Sequence, residues 1–198
     1  MAGRIEFDTE RLRVRQWRAA DREPFAQINA DPQAMAFFPA TLSGDESDAL
    51  ADRIAAGIAE RGWGLWAVEE RACGAFIGFV GLSVPRADLP FSPCVEIGWR
   101  LAHAYWGCGY ALEAARGALR VGFERVGLAE IVSFTAVPNL RSEAVMKRLG
   151  MTPDGVFEHP ALPPGHALRL HKLYRLGRAS WSTSSRSCGN TFENFASR

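Results

Sequence analysis

The stretch from Val95 to Val126 constrains the fold more than any other part of the chain. Val95 to Leu101 reads as a short strand. A loop with glycines at 107 and 109 follows, and then Leu112, Ala115, Leu119, Phe123 and Val126 recur at helical spacing. A strand that passes through Gly-x-Gly into an amphipathic helix implies a layered α/β fold, with the helix packed back on a sheet. The first N–H groups of such a helix lack intrahelical partners and carry the positive end of its dipole. Glycines let a ligand approach that backbone, so the junction suits a phosphate or pyrophosphate. It equally suits a simple turn. No Gly-Lys-Ser/Thr follows, and Leu112 stands where a dinucleotide fingerprint needs its third glycine.

The flanking segments extend the α/β pattern. Leu12 to Trp17 alternates, with Leu12 and Val14 on one face and Arg11, Arg13 and Arg15 on an outer, charged one. Ala19 to Asn29 is helical in character, and Asp31-Pro32 marks a new start. Ser43 and Glu46 form a capping-box pattern that opens a helix to about Arg61, closed by Gly62 and Gly64. Leu65 to Glu69 and Ala75 to Ser83 read as a hairpin, and Pro85 to Pro93 as a loop. Beyond Val126 come a strand at Glu130 to Ala136 and a helix at Leu140 to Leu149. Two last strands fit at Thr152 to Phe157 and about Leu168 to Leu176. This gives a mixed sheet of about seven strands. Residues 1–178 form one domain, and 179–198 a tail that holds six of twelve serines.

Composition removes several functions. Lys+Arg is 23 against Asp+Glu 22, so no basic field suggests nucleic acid. No apolar run reaches the ~20 residues of a membrane span, and the N-terminus carries no signal core, so a cytoplasmic protein is expected. Cys73, Cys94, Cys108 and Cys188 lie far apart and form no metal pattern with the four histidines; free thiols and no metal are expected.

A second motif, Val137-Pro-Asn139-Leu-Arg141-Ser142 through Leu149-Gly-Met151, places an Asn and a Ser at another strand-to-helix junction. Asn139 is also a good N-cap residue in its own right. Taken with Thr9-Glu-Arg-Leu12 and Tyr105-Trp-Gly-Cys-Gly-Tyr-Ala111, this motif resembles the GNAT superfamily of acyl-CoA N-acyltransferases. Within it, the chain is similar to the branch of ribosomal-protein N-terminal acetyltransferases. The likeness runs from about Thr9 to Leu176.

The resemblance implies a GNAT-like sheet with helices on both faces and a splayed central strand pair, Val95 to Leu101 and Glu130 to Ala136. It implies acetyl-CoA as cosubstrate. The backbone amides of Gly107, Cys108, Gly109, Tyr110 and Ala111, next to Trp106, would hold its pyrophosphate. Cys108 stands where a Lys or Arg is common. Pantetheine would pair with backbone at Trp99, Arg100 and Leu101 and pass near Asn139. Glu96 is the expected base, through water; as a plain strand residue it would face solvent or pair with an arginine. An N–H close to Leu101 would serve the oxyanion. Relatives often carry a leaving-group Tyr where this chain has Met146, and Ser142 is the expected substitute.

Glu158 and His159 are rival bases or amine ligands. His171 reads as a packed strand residue, and His103 as closing the strand end. Phe37, Phe38, Trp63 and Trp66 fit either an acceptor wall or the core. The expected reaction moves an acetyl group to a primary amine, on a protein N-terminus or a small molecule, by direct attack in a ternary complex. Succinyl-CoA is the other donor considered. A non-catalytic CoA-binding sensor is the alternative. The likeness admits a homodimer.

Overall fold

The computed structural model describes residues 4–182. An eight-stranded mixed sheet forms the framework, in spatial order β1-β2-β3-β4-β5-β6-β8-β7. The strands are β1 (Phe7–Asp8), β2 (Leu12–Arg15), β3 (Leu65–Glu70), β4 (Phe76–Ser83), β5 (Glu96–Leu101), β6 (Glu130–Ala136), β7 (Thr152–Glu158) and β8 (Leu170–Gly177). Only β5 and β6 run parallel; every other neighbouring pair is antiparallel. The helices are α1 (Arg22–Ala30), α2 (Gly44–Arg61), α3 (Tyr110–Arg120) and α4 (Leu140–Arg148).

The extra strand is β1, too short for alternation to reveal. Phe7 fixes it: its ring meets Trp66 edge-on at 5.5 Å, and it fills the space over Gly117 of α3, where a Cβ would lie 2.3 Å from the ring. Both faces of the sheet are covered. Phe79 and Leu82 point to opposite sides of β4. Phe79 meets Phe25 of α1 at 6.0 Å, while Leu82 lies against Gly122 beyond α3. There the helix widens to a π-type turn over Val121–Val126 and ends at Gly127 with φ +85°. Gly122 allows that approach, since a Cβ would come within 2.7 Å of Ile131.

Local signals account for several boundaries. Ser43 Oγ accepts from Glu46 N–H at 3.3 Å, and Glu46 accepts from Ser43 N–H at 2.8 Å. This reciprocal cap is worth about 1 kcal/mol. Gly62, at φ +81°, closes α2. The Asp31-Pro32 signal opens turns and not a helix. The 178/179 boundary falls inside a helical segment at 178–182, where Trp181 stacks on Phe123 at 5.7 Å. The rest of the expected tail, with Cys188, lies outside the described residues.

Arg15 departs from the outer, charged face assigned to it. Its side chain is buried, makes two 2.8 Å bonds to Asp21 and one of 2.7 Å to Glu69, and donates to Gln16 O. Burial opposes the charge, but these bonds outweigh it and hold the guanidinium pKa up. Removing one partner of a buried pair leaves a charge poorly compensated. Asp21→Ala is therefore expected to cost about 3 kcal/mol in urea unfolding. A loss under about 1 kcal/mol would place the cluster with exposed ion pairs.

Candidate functional site

The parallel β5–β6 pair is joined only at its start. Glu96 sits opposite Val132, and Val132 N–H donates to Val95 O at 2.9 Å. Further along, the Ser133 hydroxyl bridges to Ile97 O at 3.0 Å. Beyond it the strands part. On an extended strand, backbone groups of alternate residues point the same way. Those of Trp99 and Leu101 therefore face the gap, as the Val95 and Ile97 carbonyls do. Leu101 O is taken by the Trp106 indole N–H at 2.8 Å. The Trp99 N–H and C=O and the Leu101 N–H remain along this open edge, beside no paired position of β6. Trp99 and Leu101 thus offer a short backbone ladder, shortened at its end by Trp106, whereas the backbone groups of Arg100, expected to join them, turn to Phe79 of β4.

At the mouth of the gap lies the loop before α3. Gly107 and Gly109 have φ of +79° and +83°, the left-handed region. Gly109 is the N-cap and supplies no side-chain acceptor, so the first-turn amides at Tyr110 and Ala111 are left for a ligand. Cys108 is exposed. The position expected to lack a cation has one nearby. Arg11 donates to Cys108 O at 3.0 Å, lies over the Tyr110 ring at 4.7 Å and pairs with Glu113 at 2.7 Å. Thr9 Oγ donates to the same Glu113 carboxylate at 2.6 Å, and so does Arg11 N–H at 2.8 Å. Despite burial, these donors pull the Glu113 pKa down. The Thr9-Glu-Arg-Leu motif is thus a brace that fixes the first turn of α3. Tyr110 OH donates to Glu70 across the β3–β4 hairpin, which pushes the phenol pKa up to about 12.

On the far side of the gap, Asn139 caps α4. Its Oδ1 accepts from Ser142 N–H at 3.2 Å, and its Nδ2 donates to Thr135 Oγ1 at 2.9 Å and Ser142 Oγ at 3.1 Å. The Ser142 hydroxyl is held, with its proton free to point elsewhere. Arg141 lies over the Trp106 ring at 5.2 Å and so spans from α4 to the α3 loop. Met146 is fully buried in the core. Glu143 does structural work: it accepts from Lys172, Tyr174 and Lys147, which pull its pKa down to about 2.

Glu96, Gly98 and Arg100 project to the opposite face of β5, the side of Ser83, Gly81 and Phe79. By register, β6 adds Val132 and Phe134 there, and β8 adds His171 and Arg175. Glu96 keeps part of its surface accessible, yet burial pushes its pKa up to about 8, against a Ser83 hydrogen bond that lowers it. A Cβ added at Gly98 would find open space, with only Glu96 Oε1 nearby at 3.7 Å. Beside this strand, Phe91, Phe134, Phe157, His159 and His171 form one aromatic cluster, with the two imidazoles 4.9 Å apart. Burial lowers both histidine pKa values. His171 Nδ1 donates to Arg169 O at 3.1 Å, whereas His159 Nδ1 accepts from Ala161 N–H.

The rivals separate. Glu158 is largely exposed and paired with Arg169 at 2.9 Å. His103 packs edge-on against Trp106. Trp66 is core, donating to Ile5 O, and Trp63 sits under Arg61. Phe38 reaches the Glu96–Arg100 face, where Arg100 lies 4.0 Å from its ring. Cys73, Cys94 and Cys108 are free, and among the described residues no cluster suits a metal ion. No helix among them is long and apolar enough to cross a membrane. The roles of Arg11 and Glu113 were missed by sequence reasoning; their partners lie about a hundred residues away.

A family model described as an acetyltransferase (GNAT) domain matches residues 11–152. An FsC-acetyl coenzyme A-N(2)-transacetylase of Aspergillus fumigatus is 38% identical over 110 residues, 52% of this chain. The aligned part is 46% of that enzyme, less than half its length. The N-acetyltransferase YnaD of Bacillus subtilis is 25% identical over 179 residues, 90% of this chain and 100% of its own. An acetyltransferase structure from Agrobacterium tumefaciens aligns with TM-score 0.70 and 27% identity, covering 87% of this chain and 94% of its own. A Mycobacterium smegmatis RimJ in complex with CoA-disulfide aligns with TM-score 0.67 at 21% identity, over 88% and 90% of the two chains, which shows likeness of fold.

Two glycines of the site separate by conformation. Gly109→Ala is expected to cost about 1–2 kcal/mol in urea unfolding, because φ there is positive and a Cβ at 3.5 Å from Arg11 meets only ordinary contact. Gly98→Ala, with ordinary φ and open space, is expected to stay within about 0.5 kcal/mol of wild type. Equal costs at the two positions would contradict the assigned backbone.

Proposed function

The chain belongs to the GNAT acetyltransferase family and is an acyl-CoA-dependent N-acyltransferase; on that premise we propose that it moves an acetyl group from acetyl-CoA to a primary amine, with Glu96 as base. The observation that carries this reading is the parting of β5 and β6. An open backbone edge at Trp99 to Leu101 faces a gap, with the uncapped α3 turn at its mouth and Glu96 on the far face of the same strand.

The residues fit the cosubstrate. Amides from Gly107 to Ala111, at the uncapped start of α3, would supply the donors a pyrophosphate needs. Arg141 adds positive charge beside Trp106, while Arg11, paired with Glu113, holds the Cys108 carbonyl in place. The cosubstrate supplies the activated acetyl group and a thiolate leaving group. Glu96, above the open space at Gly98, takes the amine proton directly or through water. The Leu101 N–H donates to the oxygen on which charge develops. Asn139 orients Ser142 so that its hydroxyl donates to the departing sulfur. We place the reaction in the cytoplasm, where acetyl-CoA and free amines meet.

Isothermal titration with acetyl-CoA tests the loop. Binding is expected in wild type and a loss of at least tenfold in Gly109→Trp; absence of binding in folded wild type would overturn the reading. The Glu96 carboxylate must be ionised to accept a proton. The value of kcat/KM is therefore expected to climb with pH, pass its midpoint near about 8 and level off above it. Glu96→Gln should lower it by about 10²-fold or more and remove that limb. A variant within threefold of wild type would move the base elsewhere.

Stability should move the other way. Glu96 keeps its proton in the fold between its ordinary 4.5 and about 8, while the unfolded chain releases it. Wild-type stability therefore falls as pH rises through that window. Glu96→Gln is expected to melt higher than wild type at pH 8 and equally near pH 4.5. A variant that melts lower at pH 8 would show the carboxylate to be a stabilising partner.

A further inference from the structure

Arg100 is a half-buried cation without a carboxylate. Arg11, Arg15 and Arg175 each meet acidic side chains. Among the described residues Arg100 makes no ion pair. Its Nη1 donates to Asn29 Oδ1, and its guanidinium lies 4.0 Å from the Phe38 ring and 5.5 Å from the Phe79 ring. Its Nε is sealed from solvent with no hydrogen-bond partner among the described residues. Asn29 is itself fully buried and held by Ser47 at 2.8 Å, so the fork is aimed by a rigid neighbour. Withdrawing a charge from water without a counter-charge is costly, and such groups cluster at functional sites.

The position of this cation fits a use. Arg100, Gly98 and Glu96 share one face of β5, and the glycine between them leaves the strand bare. The two charged residues are about 13 Å apart between Cα atoms, at roughly 3.3 Å per residue. The guanidinium therefore stands at one end of this bare stretch of strand and the base at the other. The fork matches a carboxylate in a bidentate way that an ammonium would not.

We propose that Arg100 receives a carboxylate carried by the substrate, either on the acceptor amine or on the acyl chain of the donor. The proposal rests on the acyltransfer reading above and names the substrate class for it. Burial alone lowers the Arg100 pKa to about 10, so the group stays charged at neutral pH.

Two arms separate the two sources. The acceptor arm compares 4-aminobutanoate and 6-aminohexanoate with butylamine and hexylamine, using acetyl-CoA. The donor arm compares succinyl-CoA with butyryl-CoA, using one amine. A preference of at least tenfold in kcat/KM for the carboxylate is expected in one arm. That arm identifies the source. Arg100→Gln should collapse the ratio toward one, and Arg100→Lys should keep part of it, with thermal unfolding confirming that both fold. Calorimetric titration of succinate and 4-aminobutanoate reads the same site with no turnover required. Carboxylate binding lost in Arg100→Gln would stand even if acetyl-CoA failed to bind, which would overturn only the acyltransfer reading. No preference in either arm together with no carboxylate binding would overturn the Arg100 proposal. So would a ratio that survives in Arg100→Gln.

Discussion

The parallel pairing of β5 and β6 holds at one register position, and the rest of the site depends on that interruption. A parallel ladder continued past Glu96 would satisfy the Trp99 and Leu101 backbone groups and close the sheet. Its end at Glu96–Val132 leaves them facing a gap. The Ser133 bridge to Ile97 O marks where side chain replaces ladder. Both helices that border the gap begin there, α3 at the end of β5 and α4 at the end of β6. Two N-termini and an open edge therefore converge without any residue being placed there by a long loop.

One edge and one face of β5 divide the chemistry. The backbone groups of odd-numbered positions line the gap at the strand edge, while the Glu96 and Arg100 side chains stand on one face of the sheet. A single strand thus keeps a base and a cation within reach of one edge yet out of contact with each other. Both groups are half-buried, and neither meets an oppositely charged side chain among the described residues. That is the pattern expected where function, and not stability, retains a polar group.

Much of this was legible in the sequence because the signals are local. Ser43 and Glu46, the glycines at 107 and 109, and the stripe from Leu112 to Phe123 act over a few residues, and the structure places them as read. The resemblance supplied the central gap, which no periodicity encodes. What stayed hidden depends on distant partners. Arg15 reads as solvent-facing by alternation and is buried because Asp21 and Glu69 meet it. β1 is too short to alternate and exists through Phe7 on Gly117. Cys108 suggested a missing cation, and the charge beside it comes from Arg11.

The Thr9–Glu113 bond joins residues 104 positions apart, and the Arg11–Cys108 bond residues 97 apart. Contacts of such separation close only after long stretches of chain have been ordered, and loop-closure entropy opposes them until then. During synthesis the first strands must wait for more than half the chain before their partners on α3 exist. The glycine loop therefore acquires its bracing only once α3 is made, while β6, β7 and β8 are still to come. A half-made chain offers cosubstrate no finished cradle, and a ligand that binds there strengthens contacts that span half the chain.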